Sequence, residues 1–171
     1  MRKIIYLAML LTAIAVSCEY KPPQETSDIE GSKKAVAELL DKYHNGVRGK
    51  KAADITNLLA EDGLYCGTDP GELWNKKSFS DNMAAAFANT SMSTISYTID
   101  KREIHLEKNA GSAIVLEQFT MVEFFGRKTP LRLVSHVVKN NGAWKIDFLS
   151  VSIVPHNEDI PKIGKALDSN K

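Results

Sequence analysis

The chain has 171 residues, of which 43% are hydrophobic and 25% charged, a composition typical of one globular domain with short extensions. Its 22 basic residues nearly balance its 21 acidic ones, which excludes a strongly basic surface, so we expect no nucleic-acid partner. Two cysteines, Cys18 and Cys66, are too few for a disulfide framework or a cysteine-rich metal site.

The first 17 residues have the layout of a secretory signal. Arg2-Lys3 precedes an apolar run, residues 4–16, which is shorter than the roughly 20 residues that a membrane-spanning helix needs. The run ends in a sequence that resembles the bacterial lipobox, in which the cysteine is lipidated: Ala15-Val16-Ser17-Cys18. The alternative is an ordinary signal peptide with a chance cysteine.

The lipobox reading predicts an exported lipoprotein. Residues 1–17 would be removed, and Cys18 would carry acyl chains such as palmitate that hold the protein on a membrane of the cell envelope, facing the periplasm or the cell surface. Losing Arg2-Lys3 changes the net charge from +1 to −1. Residues 18–31 would then form the lipidated cysteine and a flexible tether, and Cys66 would have no disulfide partner.

Three helices are predicted in the first half of the domain, which we place at residues 32–157. Ser32 is the expected N-cap of the first, whose apolar stripe is Val36, Leu39, Leu40, Tyr43 and Val47. A short helix fits residues 52–59. The third runs from about Lys76 to Asn89, with Asn75 as its N-cap and a hydrophobic staple between Trp74 and Phe79.

Strands follow, because the apolar period changes to two from residue 93 onwards. The alternation switches parity between residues 100 and 103, which predicts a β-bulge. Asn141-Gly142 is a strong hairpin signal. The strands expected, after a short one at Gly63 and a bent one through this bulge, are 112–125, 131–139 and 144–154. A tail, residues 158–171, contains a short helix that reaches Leu167.

Helices followed by long hairpin-connected strands predict an α+β fold. A strongly curved, mostly antiparallel sheet would wrap the three helices, with one face lining a cavity and the other free.

Two segments carry a resemblance to a known family: Gly67-Thr68-Asp69-Pro70-Gly71-Glu72-Leu73-Trp74 and Trp144-Lys145-Ile146-Asp147-Phe148-Leu149-Ser150-Val151-Ser152. With the element order, they resemble the SnoaL-like branch of the NTF2-like superfamily over about residues 32–155. The resemblance implies a cone with a pocket at its wide end, and in many members a dimer through the outer sheet face. Functions in the superfamily range from isomerases, cyclases and dehydratases to binding modules, so the fold leaves the chemistry open.

Three residues are candidates for acid–base catalysis. Asp69 is either a pocket-rim carboxylate or a turn residue that caps local amides before Pro70. Glu117 shares its parity with Val115 and Phe119, so it is either buried in the pocket or a paired or exposed strand acid. His136 is either a pocket base or a residue of the solvated or dimer face.

Other side chains are candidates for lining the pocket. Besides His136 they are Tyr43, Tyr65, Trp74, Phe119, Phe148 and Ser150. Tyr43 is by default an ordinary core tyrosine, and Trp74 is explained by the staple alone. His44 lies beside Tyr43 and is expected to be exposed. Phe148 and Ser150 are placed on the core side of the last strand with Ile146, because they share its parity.

Metal chemistry and nucleophilic catalysis have little support in the sequence. The four histidines are scattered without metal-ligand spacing, so we expect no metal and no cofactor. Cys66 has no evident base partner, which favours a structural thiol over a nucleophile.

The leading hypothesis is therefore a membrane-anchored domain that binds a small apolar molecule or a protein partner without catalysis. The first alternative is a SnoaL-like enzyme, a proton-transfer isomerase, cyclase or hydratase acting on a small carbonyl compound. It requires at least two titratable side chains that converge on one pocket. The second is a structural accessory lipoprotein. A homodimer through the outer sheet face is compatible with each.

Overall fold

The computed structural model describes residues 27–89, 95–108, 110–124 and 127–168. The expected signal segment, Cys18 and the first part of the tether lie outside these ranges, so lipidation stays a prediction. No helix within them is long and apolar enough to cross a membrane.

The helices agree with the sequence pattern except at the first one. α1 begins at Ser27, five residues before the expected N-cap Ser32, so the tether prediction is wrong for residues 27–31. It continues through Gly46 to Arg48. A Cβ on Gly46 would lie 2.7 Å from Ile55, so this glycine allows the second helix to pack closely on α1. The helices are α1 (Ser27–Arg48), α2 (Ala52–Thr56), α3 (Lys76–Ala88) and α4 (Ile160–Asp168).

The start of α3 follows the sequence signals. Asn75 is its N-cap, and the Asn75 side chain accepts a hydrogen bond from the Ser78 amide at 2.9 Å. The rings of Trp74 and Phe79 are 6.0 Å apart, as the staple predicts. The predicted tail helix is also present as α4, after a single 3₁₀ turn, Asn157–Asp159.

Six strands form one sheet in the order β2-β1-β6-β5-β4-β3. All neighbours are antiparallel except β1 and β6, which are parallel, so the curved sheet is mixed and mostly antiparallel as expected. The strands are β1 (Leu59–Cys66), β2 (Leu73–Trp74), β3 (Ile99–Leu106), β4 (Ser112–Phe124), β5 (Arg127–Asn140) and β6 (Ala143–Ile153).

Local irregularities set which way the strands face. The predicted bulge in β3 is confirmed, because Ile99 pairs with Phe119 while Lys101 pairs with Gln118. The hairpin turn is confirmed as well, since Asn141 and Gly142 have φ angles of 49° and 83°. A second bulge, in β6, was not predicted, and it moves several candidate residues to the other side of the sheet.

Candidate functional site

A cavity of about 360 Å³ lies between α1, α3 and the concave face of the sheet. Its wall is mainly aromatic and aliphatic, with contributions from α1, α3 and the inward-facing positions of β4, β5 and β6. A few polar residues interrupt this wall: His44, Cys66, Thr68, Glu72, Asn82 and Tyr97. An apolar cavity of this size with few polar groups is typical of a small-molecule site.

A buried chain of charged groups supports one part of the wall. His44 Nε2 lies 2.7 Å from Glu117 Oε2, and both side chains are almost completely buried, at 1% and 0% exposure. The other carboxylate oxygen accepts a hydrogen bond from Arg102 Nε at 2.5 Å. Arg102 also donates to Asp41 at 2.8 Å and to the Ala37 carbonyl at 3.3 Å, which links β3 and β4 to α1.

The imidazole of His44 is enclosed by aromatic rings. Tyr43, Tyr97 and Phe119 each present an edge-to-face contact, with ring centroids 5.3–5.8 Å from that of His44. His44 Nδ1 lies 2.9 Å from the Tyr97 hydroxyl. Arg48 holds Tyr97 from its other side, because its guanidinium lies 5.1 Å from the ring centroid and donates to the Tyr97 carbonyl.

The pKa values of this cluster follow from its burial and its charges. Burial alone would raise the pKa of Glu117, but the hydrogen bonds and electrostatic interactions with His44 and Arg102 outweigh it, so its pKa is lowered. Burial raises the pKa of Tyr97, an effect that Arg48 opposes, and burial likewise raises the pKa of Tyr43. Glu117 is therefore a carboxylate at neutral pH, while both tyrosines keep their protons.

The expectation that His44 is exposed is wrong. His44 lies four residues after Leu40 and three before Val47, so it belongs to the apolar stripe of α1. The sequence signal for its burial is a polar residue at a core position of this stripe. Its partner Glu117 is 73 residues away, and no local pattern connects the two. Tyr97 and Arg102 were missed as site residues for the same reason.

Glu117 is fully buried at an inward-facing position of β4, as the first of the two alternatives for this residue requires. It lies behind His44, which itself lines the cavity together with Tyr97. His44 and Tyr97, two titratable side chains, thus border one cavity, as the enzyme hypothesis requires, while their distance to a bound substrate stays a prediction.

The predicted pocket residues divide into two groups. Tyr43, Trp74 and Phe119 line the cavity, although their part in ligand binding stays a prediction. Tyr65 is fully buried beneath the cavity wall, where its hydroxyl donates to the carbonyls of Ala60 and Ile146. Its placement in the lining is therefore wrong.

His136, Phe148 and Ser150 lie on the outer face of the sheet, the side opposite to α1, so placing them in the pocket is also wrong. The reason is the bulge in β6: His136 pairs with Phe148 and Val137 with Ile146, which leaves Asp147 as an extra residue. Beyond Asp147 the parity reverses, and Leu149 becomes the buried residue. His136 Nδ1 contacts Asp147 at 2.8 Å on this outer face.

The turn before β2 holds the remaining candidates. Asp69 Oδ1 accepts a hydrogen bond from the Gly71 amide at 2.8 Å, which is the capping alternative for this residue. The neighbouring Glu72 accepts a hydrogen bond from the Asp69 amide and reaches the cavity rim.

Cys66 is unpaired among the described residues and borders the cavity. In the same ranges, no group of three or more His, Cys, Asp or Glu side chains is arranged to hold a metal ion.

Solved structures place this architecture in a known fold. An NTF2-like protein of unknown function from Pseudomonas putida superposes with a TM-score of 0.64 at 12% identity, over 75% of this chain and 91% of that one. A candidate scytalone dehydratase from Novosphingobium aromaticivorans gives 0.64 at 13% identity, over 75% and 87%. A candidate ketosteroid isomerase from Shewanella frigidimarina gives 0.60 at 17% identity, over 71% and 98%. At these identities the likeness establishes the NTF2-like fold alone.

The family follows from the sequence match. The model of the SnoaL-like domain family matches residues 36–156, most of the chain, so the protein belongs to that family. No curated protein sequence matches the chain significantly.

Proposed function

We propose that the domain binds a small, largely apolar molecule in the cavity, with a polar group of the ligand placed at the His44–Tyr97 end. The observation that carries this proposal is the cavity itself: about 360 Å³, walled by apolar side chains, with a buried polar cluster at one point of its wall. A ligand there would exchange water for aromatic and aliphatic contacts, and the polar cluster would fix its orientation.

A pair of adjacent alanines on α3 offers a test of this binding. Both alanines are exposed, but of the two only Ala86 borders the cavity. We expect the neutral fluorescent probe N-phenyl-1-naphthylamine to bind saturably to the wild type and to Ala85→Trp, and at least about tenfold more weakly to Ala86→Trp, whose indole would occupy the cavity. Absence of saturable binding, or equal binding to both variants, would contradict the proposal.

A second candidate function is acid–base catalysis on a small carbonyl compound. The observation that favours it is the 2.7 Å contact between His44 and an ionised Glu117, since a carboxylate behind an imidazole orients it and stabilises its protonated form. In this scheme His44 would take a proton from the carbon beside the carbonyl. The carboxylate, buried behind His44, would not touch the substrate.

Hydrogen–deuterium exchange tests this candidate. In D₂O, the wild type should accelerate exchange at the α-carbon of 1-tetralone, and His44→Asn should lower that acceleration by about 100-fold or more. His136→Asn is the matched control, because it removes a histidine that also contacts a carboxylate but lies on the outer face. Exchange at the buffer rate with the wild type would leave binding as the only proposed function.

We also propose that lipidated Cys18 anchors the protein to a membrane. The support is the sequence Ala15-Val16-Ser17-Cys18 at the end of the apolar run. Labelling of producing bacteria with an alkyne analogue of palmitate should mark the wild-type chain and leave Cys18→Ser unmarked. Equal labelling of both would contradict lipidation at this residue.

The outer face also offers a surface for self-association, and we propose a homodimer there. Leu64, Phe148, His136 and Ile114 are successive neighbours across β1, β6, β5 and β4, and Leu64 and Ile114 are 47% and 49% exposed. Ile114→Asp should convert a dimer to a monomer in analytical ultracentrifugation. Ile163→Asp, an exposed position on α4, should leave it unchanged.

A further inference from the structure

The charged side chains around the cavity are unevenly distributed. Among the described residues that line it, Glu72 is the only acid, and none is a lysine or an arginine. Arg48 and Arg102 support the inner cluster from outside this lining. His44 does line the cavity, but any positive charge on it is balanced by the carboxylate of Glu117 at 2.7 Å. A charged ligand would therefore meet one free carboxylate and no free basic group along the described wall.

The carboxylate of Glu72 is held in place by its own turn. The Glu72 amide donates to the Asp69 carbonyl, and the Glu72 carbonyl accepts from the Gly67 amide, both at 3.0 Å. Its side-chain Oε2 accepts from the Asp69 amide, also at 3.0 Å. A Cβ on Gly67 would collide with this carboxylate, so the glycine leaves open the space that the carboxylate fills. Backbone groups, and not a cation, thus fix a negative charge at the cavity rim.

The lysines closest to Glu72 in the sequence are engaged elsewhere. Lys76 Nζ lies 2.6 Å from Glu61, and Lys77 Nζ lies 2.6 Å from Asp81. Within the part of the chain that the structure describes, Glu72 forms no ion pair, and its Oε1 accepts no hydrogen bond. A carboxylate has about four acceptor positions over its two oxygens, so Glu72 can still pair with a positive group of a ligand.

An aromatic wall adjoins this carboxylate. Glu72 and Trp74 both line the cavity, and Leu73 between them is 65% exposed, as expected for alternating sides of an extended segment. The Trp74 ring lies 6.0 Å from that of Phe79, which also lines the cavity. The face of an aromatic ring attracts cations, most strongly for tryptophan, and aromatic sites are the usual receptors of alkylated ammonium groups. Glu72 and Trp74 therefore provide two attractions for the same positive charge.

We infer that the cavity selects an apolar molecule that carries an alkylated ammonium group over an anionic molecule of the same size. The ammonium group would lie at the rim beside Glu72 and Trp74, while the apolar body fills the cavity. The inner end at His44 and Tyr97 then stays available for a polar group of the ligand. An anion would face the Glu72 carboxylate and find no lysine or arginine among the described lining residues. This inference rests on the proposed binding function.

Two naphthalenes of similar size and opposite charge provide the test: (2-naphthylmethyl)trimethylammonium and 2-naphthylmethanesulfonate. Their dissociation constants are measured by displacement of the neutral probe N-phenyl-1-naphthylamine from the full-length chain at pH 7.5. We expect the ammonium compound to bind at least about tenfold more tightly than the sulfonate. In Glu72→Gln the ammonium compound should bind about fivefold more weakly, with binding of the neutral probe unchanged. Glu158→Gln, which removes an exposed carboxylate outside the lining, should change neither.

The neutral probe separates failure of the inference from failure of the binding function. If the probe binds but the sulfonate equals or exceeds the ammonium compound in the wild type, the inference is overturned and the cavity remains a binding site. The same holds if Glu72→Gln binds the ammonium compound as the wild type does, or if Glu158→Gln weakens it equally. No saturable binding of the neutral probe would overturn both. The wild-type order decides the matter even if Glu72→Gln fails to fold.

Discussion

Two pairs of histidine and carboxylate lie on opposite sides of the same sheet, and their shortest contact distances are nearly equal. His44 and Glu117 are 2.7 Å apart on the concave side, and His136 and Asp147 are 2.8 Å apart on the outer side. Their surroundings differ. The inner pair is 1% and 0% exposed, while the outer pair is 32% and 28% exposed.

The comparison shows that the surroundings of such a pair, and not its contact distance, determine its effect on stability and on the cavity. Water near the outer pair screens its attraction and can replace either partner. The inner pair has lost that water, so each group depends on the other and on Arg102 and Tyr97 for its hydrogen bonds. Only the inner pair therefore couples to a cavity, and it should dominate stability.

The largest expected difference is in global stability. Glu117→Ala leaves His44 and Arg102 without their shared buried acceptor, and the free energy of unfolding should fall by about 3–5 kcal/mol in urea titrations. Asp147→Ala on the outer face should cost less than about 1 kcal/mol. Equal losses for the two variants would remove the distinction between the faces.

Double-mutant cycles compare the interaction within each pair directly. The coupling free energy between His44 and Glu117, measured with the two alanine variants and their combination, should be about 1.5–3 kcal/mol. The cycle for His136 and Asp147 should give below about 1 kcal/mol. A larger coupling on the outer face would show that burial is not the controlling variable.

The pH dependence of stability should report the inner carboxylate. The pKa of Glu117 is lowered from its ordinary value of 4.5 by His44 and Arg102, so the stability that it contributes is present above pH 4.5. That contribution is lost as pH falls through the lowered pKa. Urea titrations from pH 6 to pH 3 should show a steeper loss for the wild type than for Glu117→Gln. Parallel curves would contradict the assignment.

The smallest effect is the response to salt. Raising the ionic strength from about 0.01 M to 1 M should weaken the coupling between His136 and Asp147 by a few tenths of a kcal/mol, because solvent ions reach this pair. The coupling between His44 and Glu117 should change less, since ions cannot approach it. Repeating the two cycles in low and high salt measures this difference.

Much of the fold could be predicted because its signals are local. The cap at Asn75, the staple between Trp74 and Phe79, the hairpin at Asn141-Gly142 and the bulge in β3 each depend on residues close together in the chain. The bulge at Asp147 gave no such signal. It depends on pairing with β5, and it reversed the faces assigned to Phe148 and Ser150.

The site could be predicted only in part, because its chemistry depends on distant partners. The parity of β4 correctly left Glu117 as an inward-facing candidate, but its role depends on His44 and Arg102, which come from other elements. His44 lies on the apolar stripe of α1, a spacing that predicts burial, but no nearby residue pairs with it, so its partner could not be predicted from the sequence. Once Glu117 is opposite, the same histidine is a buried and fully paired group.

A crystal structure of the chain with 2-naphthol would test whether the cavity holds a small apolar molecule with its polar group at the inner pair. We expect the naphthalene rings between α3 and the concave face, with the ligand oxygen about 3 Å from the Tyr97 hydroxyl oxygen. Naphthol bound on the outer face, or in the cavity with its oxygen turned away from Tyr97, would contradict it.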